Sequence, residues 1–186
     1  VIVPKGETYE PREGEIIIRM DPGMAFGTGS HETTRLVIGL LEDSVTPGCH
    51  VLDVGTGSGI LAVCASKLGA ADCRAYDIDP VAVEVAAENA AENGCANIET
   101  GRSDLLAGVA PGKYDVVCAN IVADIIIRMA PDIGKFMHDE STLLASGIIN
   151  ERASDVIDAL EANGFYIARA LEDNGWTALA VKKLIG

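Results

Sequence analysis

The chain has 186 residues, 48% of them hydrophobic, which is enough for one domain with a full core. Lys and Arg number 14 against 28 Asp and Glu, and a formal net charge of -14 argues against a sequence-independent grip on nucleic-acid phosphates. It favours a basic macromolecular partner or simple solubility, between which charge alone does not choose.

No apolar run approaches the ~20 residues of a membrane helix, and the start Val1 to Glu7 is extended and polar, unlike a signal peptide. Glu15 to Met20 alternates weakly between glycine and proline and predicts a short strand leading into the glycine-rich loop Asp21 to Gly29. Ser30 is placed to cap a helix in which Leu36, Val37, Leu40 and Leu41 recur at helical spacing, with Pro47 and Gly48 ending it. Strand Cys49 to Val54, helix Ser58 to Leu68, strand Cys73 to Asp77 and helix Val81 to Asn93 follow, the last opened by Asp79 and Pro80.

Ile98 to Thr100 reads as a short strand, Asp115 to Ala119 as one buried on both faces, Ile121 to about Ala130 as helix, and Thr142 to Ala145 as strand. An amphipathic helix over Glu151 to Ala162 precedes two strands, Phe165 to Leu171 and Trp176 to Val181, joined by a turn whose Asn174-Gly175 pair suits a hairpin. Strands alternating with helices predict an open α/β sheet covered on both faces and finished by an antiparallel hairpin.

The five cysteines, Cys49, Cys64, Cys73, Cys95 and Cys118, are odd in number and form no C-x-x-C, so they read as small buried hydrophobes in a reducing compartment. His31, His50 and His138 lack metal-site spacing, and no metal is expected.

The chemistry is concentrated in Val51-Leu52-Asp53-Val54-Gly55-Thr56-Gly57-Ser58-Gly59, where an apolar strand delivers three glycines into the turn before a helix. Asp77 leaves the next strand 22 residues after Gly55, placed as a carboxylate that accepts hydrogen bonds from ribose hydroxyls, so the pair predicts an adenosyl site. The glycines alternate strictly instead of following G-x-G-x-x-G, and no Lys or Arg stands in the turn. A cationic sulfonium, as in S-adenosylmethionine, suits this turn better than a diphosphate, which sets a nicotinamide-dependent oxidoreductase behind. A turn that merely packs tightly is the plainer alternative. Asn120 ends a parallel strand, where its amide suits either a substrate amine or the cap of the following helix. His31 reads equally as a solvent-facing first-turn residue or as part of the site.

Together the glycine turn, Asp77 and Asn120 resemble class I S-adenosylmethionine-dependent methyltransferases. The stretch Asp21-Pro22-Gly23-Met24-Ala25-Phe26-Gly27-Thr28-Gly29-Ser30-His31-Glu32-Thr33-Thr34, with Asn120-Ile121-Val122-Ala123 and Ser146-Gly147-Ile148, closely resembles the bacterial ribosomal protein L-eleven methyltransferase family over nearly the whole chain. Ser30 stands where that family often has threonine, a change that keeps the hydroxyl.

The resemblance implies an α/β, Rossmann-like class I methyltransferase fold, with a mostly parallel seven-stranded sheet, helices on both faces and an antiparallel C-terminal hairpin. It divides the chain into a connecting segment and cofactor lid over residues 1–29 and an S-adenosylmethionine-dependent domain over 30–186. The family's N-terminal substrate-recognition domain is expected to be missing, leaving a chain that binds cofactor but meets its substrate poorly. Phe26, Thr28, His31, Thr34, Gly55, Gly57, Asp77 and Asn120 would bind S-adenosyl-L-methionine, with Asn120 also catalytic and Gly27-Thr28-Gly29 folding over the methionine end. The implied activity is methyl transfer to lysine side chains and the N-terminal amine of ribosomal protein L-eleven, in the cytoplasm, without nucleic acid or membrane as partner. Other substrates for the same fold, or a cofactor-binding module without catalysis, remain the alternatives. Lysine, with a pKa of about 10.4, must lose its proton, and no side chain in the sequence stands out as general base, so positioning for in-line displacement is the larger expected contribution.

Overall fold

The computed structural model describes residues 1–20 and 31–185. A seven-stranded sheet runs in the order β5-β4-β3-β6-β7-β9-β8, built from β3 (His50–Val54), β4 (Asp72–Asp77), β5 (Ile98–Arg102), β6 (Tyr114–Asn120), β7 (Met137–Ile149), β8 (Phe165–Asp173) and β9 (Trp176–Lys183). β3 pairs parallel with β4 and β6, β4 with β5 and β6 with β7, while β9 lies antiparallel between β7 and β8. The helices are α1 (Glu32–Ser44), α2 (Ile60–Lys67), α3 (Pro80–Glu92), α4 (Ala123–Ile133) and α5 (Ala153–Ala162).

The two-residue period of the strands splits the core into two layers. Val51, Cys73, Val116 and Cys118 pack with Val37, Leu41 and Val63 of α1 and α2, whereas Leu52, Val117, Ala119 and Leu143 pack with Ile126, Met129, Val156 and Leu160 of α4 and α5. All five cysteines are free, buried and in the first layer, where they act as small apolar side chains. Burial pushes the thiols of Cys64 and Cys73 up to about 12. None of the helices among the described residues is long and apolar enough to cross a membrane.

A two-stranded parallel sheet precedes the main one, pairing β1 (Ile2–Pro4) with β2 (Ile18–Met20). The strand at Glu15 to Met20 is visible in the sequence, but its partner is not, because three residues carry too little alternation. Residues 1–20 are more than a connector in packing terms, since Ile18 and Met20 join the layer formed with α1 and α2.

Several boundaries differ from the sequence reading. β7 begins at Met137 instead of Thr142, because Met137 pairs with Tyr114 across a bulge and carries the polar stretch His138 to Glu140 along as edge residues. α4 continues through Pro131 to Ile133: the proline forgoes the bond its N–H would have made to the Ile127 carbonyl, and packing of buried Met129, Ala130 and Ile133 holds the last turn. Its N-cap is Val122, so Asn120 is the last residue of β6 and does not cap the helix. At α1 the cap is His31, one residue past Ser30, which lies outside the described residues.

Candidate active site

The C-terminal ends of β3, β4 and β6 open into one cavity of about 610 Å³, within the range of small-molecule sites. On one side the wall is backbone. Gly55, Gly57 and Gly59 all have positive φ, at 71°, 53° and 80°, a run that side chains would strain. The Gly55 and Thr56 N–H groups donate to the Tyr76 carbonyl at 2.8 and 2.9 Å, which hangs the turn from β4. Asp77 then locks it from the front: Oδ2 accepts from the Gly57 N–H at 2.9 Å and Oδ1 from the Asp79 N–H at 3.0 Å. Asp79 in turn caps α3 by accepting from the Val81 N–H at 2.9 Å.

Each Asp77 oxygen keeps a lone pair beyond these bonds, so the carboxylate is positioned and still able to accept from a ligand. The one arginine on the cavity wall, Arg128, is paired with Asp104 at 3.0 Å, leaving no unpaired cation among the described lining residues to hold a diphosphate. An adenosyl group with a cationic sulfur fits this donor set.

Beneath the turn lies Asp53, 1% exposed, on the α1 and α2 face of β3. Its Oδ2 accepts from the Thr56 hydroxyl at 2.6 Å, while Oδ1 has no hydrogen-bond partner. The Ala62 N–H is near enough to favour the charge without bonding geometry. Burial dominates and pushes the carboxyl up to about 7, with the Asp77 charge adding a smaller push.

The other side of the cavity is made of side chains from distant segments. Asn120 leaves β6 with its Nδ2 donating to the Thr34 hydroxyl at 3.4 Å, and no described residue donates to its Oδ1. Ser146, opposite Asn120 in the β6–β7 ladder, donates its hydroxyl to the Thr33 carbonyl at 2.9 Å, fixing the start of α1 to the strand ends. His31 accepts from the Thr33 N–H through Nδ1 at 3.3 Å, and its ring meets that of Trp176 edge-on at 5.0 Å. Gly147, with φ 82°, lets β7 pass Ile121: a Cβ there would lie 2.6 Å from the Ile121 carbonyl oxygen.

Of the residues expected from the sequence, His31, Gly55, Gly57, Asp77 and Asn120 all line the cavity. Thr34 is fully buried behind Asn120, accepts from its amide, and is not among the described residues that line the cavity. Phe26 and Thr28, with the loop read as a lid, lie outside the described residues. Sequence reasoning missed Thr33, Ser103 to Leu105, Ile125, Arg128 and Trp176. The loop at Ser103 was findable, because β5 ends at the same edge as β3 and β4 and must deliver its exit there. Trp176 carried no such signal, its place depending on the hairpin folding back beside β7. Among the described residues no cluster of His, Cys, Asp or Glu is placed to hold a metal ion.

A family model described as ribosomal protein L11 methyltransferase (PrmA) matches residues 1–184. The chain is 49% identical over 183 residues to a ribosomal protein L11 methyltransferase of Caldanaerobacter subterraneus subsp. tengcongensis, covering 98% of this chain and 59% of that protein. A second, from Caldicellulosiruptor bescii, is 46% identical over 185 residues, covering 100% and 60%. The chain thus spans about three fifths of the length of these relatives. Among solved structures, a ribosomal protein L11 methylase from Lactobacillus delbrueckii subsp. bulgaricus superposes with a TM-score of 0.93 at 38% identity, covering 99% of this chain and 94% of that one. A precorrin-6y C5,15-methyltransferase from Geobacter metallireducens, at TM-score 0.69 and 13% identity over 81% of this chain and 88% of that one, shares the fold alone.

Proposed function

We propose that this chain, which belongs to the ribosomal protein L11 methyltransferase family, is the catalytic region of an S-adenosylmethionine-dependent protein N-methyltransferase whose acceptors are amines of ribosomal protein L11. The observation that carries the reading is the meeting, on one cavity, of the Asp77–Gly57 lock with the Asn120 amide. The first is a ribose-binding arrangement without a phosphate cradle, and the second is a polar acceptor at the strand end beside it.

When bound, S-adenosylmethionine supplies a methyl group on a cationic sulfur that departs as a neutral thioether. Asp77 would accept from the ribose hydroxyls, and the bare Gly55 and Gly57 backbone would let the adenosyl group lie against the turn. His31 stands at the N-terminus of α1, and the family resemblance puts Phe26 and Thr28 with it around the methionine end. Thr34 orients Asn120: by accepting from Nδ2, it leaves Oδ1 to accept from an incoming amine. Ile121, Val122, Ile125 and Trp176 surround that approach with apolar surface, which disfavours an ammonium and favours the neutral amine, the proton passing to water. With no carboxylate among the described residues placed behind Asn120 as a base, holding the amine in line at about 3 Å is the main catalytic contribution. Five buried free thiols are in keeping with a reducing cytoplasmic setting.

The test is calorimetric titration with S-adenosylmethionine, S-adenosylhomocysteine and NAD, followed by transfer of labelled methyl groups to purified ribosomal protein L11. Tight binding of the first two with transfer is expected. Preferential binding of NAD would overturn the reading, and cofactor binding without transfer at saturating acceptor would leave a cofactor-holding module.

A further inference from the structure

Away from the cavity, two buried amides, Asn89 on α3 and Asn93 at its C-cap, form a continuous hydrogen-bond path that the mechanism above does not use. Asn89 and Asn93 are 4% and 8% exposed. Asn89 donates Nδ2 to the Ser58 carbonyl at 2.8 Å, inside the glycine turn. Asn93 donates Nδ2 both to the Asn89 carbonyl and to the Arg19 carbonyl, each at 2.7 Å, and its Oδ1 accepts from the Arg19 N–H at 2.8 Å. The Asn93 side chain therefore pairs with the outer edge of β2 as a neighbouring strand would, on the side away from β1.

The sequence of α3 is arranged for this. Ala86, Asn89 and Asn93 fall three and four residues apart and share one helix face. Ala86 meets the turn so closely that a Cβ on Gly59 would lie 2.9 Å from the Ala86 Cβ, so α3 packs directly against the turn. Ser58 sits between Gly57, whose N–H binds Asp77, and Gly59, the αL residue that opens α2. Asparagine is a poor helix former, so Asn89, buried inside α3, acts through its hydrogen bonds and not through propensity, and Asn93 stands at the C-cap, where the helix ends.

We propose that Asn89 is a positioning residue for the cofactor turn and that Asn93 extends this positioning to the β1–β2 ribbon, so that cofactor binding and docking of residues 1–20 are coupled. The proposal rests on the reading that the Gly55–Gly59 turn holds S-adenosylmethionine. Ordering the turn around a ligand fixes Ser58, Ser58 fixes Asn89, and the α3 face carries the constraint to Arg19. Coupling of this kind is reciprocal, so a docked ribbon tightens cofactor binding by the same factor that cofactor steadies the ribbon.

The experiment measures amide hydrogen exchange of residues 1–20 with and without saturating S-adenosylmethionine, in the wild-type chain and in Asn89→Leu and Asn93→Leu, with cofactor affinity taken by calorimetry on the same samples. Leucine keeps the branched outline of the side chain, at a larger volume, and removes the amide. In the wild type, cofactor is expected to slow exchange at Val3 and Arg19 several-fold. Asn89→Leu should weaken cofactor binding by about tenfold, the scale of losing one buried hydrogen bond. It should also abolish the cofactor-dependent protection of the ribbon. Asn93→Leu should raise ribbon exchange and weaken binding by about fivefold, the lower end of the range of allosteric coupling. Amides that merely stabilise the fold would lower the unfolding midpoint of both variants and leave affinity and the cofactor-dependent protection as in the wild type, which would overturn the proposal. Should either variant fail to fold, the wild-type exchange experiment decides alone: unchanged ribbon protection on cofactor binding overturns the coupling. A wild-type chain that binds no S-adenosylmethionine overturns the reading beneath it, a result distinct from binding without protection.

Discussion

On the Gly55–Gly57 side of the cavity the chain presents backbone, three positive-φ glycines within five residues, hung from Tyr76 and locked by Asp77. On the Asn120 side it is built from four separated places: His31 before α1, Asn120 at the end of β6, the Gly147 crossing in β7 and Trp176 at the start of β9. The first wall is local in sequence and is assembled by one βαβ unit, so it forms wherever that unit forms. The second exists only when the whole sheet, hairpin included, is in register. On the proposed function, cofactor binding thereby falls to a self-sufficient segment, and acceptor chemistry to the part most sensitive to global packing.

The sharpest break in this contrast would come at Gly147, a backbone-determined position on the side-chain wall. Gly147→Ala sets a Cβ 2.6 Å from the Ile121 carbonyl oxygen at φ 82°, and neither backbone can yield cheaply. Gly55→Ala places a Cβ 2.6 Å from Ile121 Cγ2, the end of a side chain that can turn away, at φ 71°. Denaturant unfolding is expected to show a loss of about 3–5 kcal/mol for Gly147→Ala, from backbone strain and overpacking together. Gly55→Ala should lose about 1–2 kcal/mol, mainly the left-handed penalty. The reverse order would mean that the acceptor wall has slack where the structure has none.

Next in size is the buried carboxylate under the backbone wall. Asp53 is raised from 3.8 to about 7 by burial, so the folded state binds its proton more tightly than the unfolded chain does. Its contribution is fully present below about pH 4 and is lost as pH rises through about 7. Asp53→Asn keeps an oxygen for the Thr56 hydroxyl and has no charge to bury. The stability of the variant relative to the wild type should therefore rise between pH 4 and pH 8, by roughly 2–4 kcal/mol. Parallel stability curves for the two proteins would place Asp53 in a wetter site than the strand face provides.

The same contrast explains what the sequence disclosed. Gly55, Gly57 and Asp77 were legible because a tight turn with exposed backbone demands glycine, and a carboxylate at the next strand end answers it within one βαβ unit. His31 and Asn120 were visible as positions but not as partners, since their meeting depends on α1 lying over the β6–β7 strand ends. Residue resemblance, and not periodicity, singled out Ser146-Gly147-Ile148. Trp176 and the Asn89–Asn93 path were invisible to pattern reading: the aromatic wall needs the hairpin folded, and buried amides in an alanine-rich helix look like any polar substitution until the ribbon is seen against them. β1 and the first five residues of β7 were missed because short or polar strands are defined by their neighbours and not by their own alternation.

A smaller effect separates the two walls by what they do. Asp77→Ala removes an acceptor that also holds Gly57 and Asp79, and should weaken S-adenosylmethionine binding by roughly 1.5–3 kcal/mol. Asn120→Ala should leave cofactor affinity within about threefold and lower kcat about 10- to 100-fold, the cost of a misplaced acceptor amine. Calorimetry and steady-state kinetics on the two folded variants check the split. An Asn120→Ala enzyme with full kcat would remove the amide from the reaction, and unchanged affinity in Asp77→Ala would remove the carboxylate from the ribose site.

The smallest expected effect tests the charge argument that chose a sulfonium over a diphosphate. Arg128 faces the cavity but is paired with Asp104, and both side chains are more than half exposed, so the pair contributes little to stability. Arg128→Ala leaves Asp104 unpaired at the rim and makes the site one charge more negative. S-adenosylmethionine carries one more positive charge than S-adenosylhomocysteine, and a unit charge about 10 Å away in water changes its energy by ~0.4 kcal/mol. The affinity ratio of the cationic to the neutral ligand should therefore rise about twofold at low salt, with no change in the unfolding midpoint. At about 0.5 M salt the screening length falls to a few ångströms and the ratio should return to the wild-type value. A parallel loss of affinity for both ligands would mean that Arg128 touches a group they share, for instance the carboxylate, and that the cation on this wall is part of the binding set.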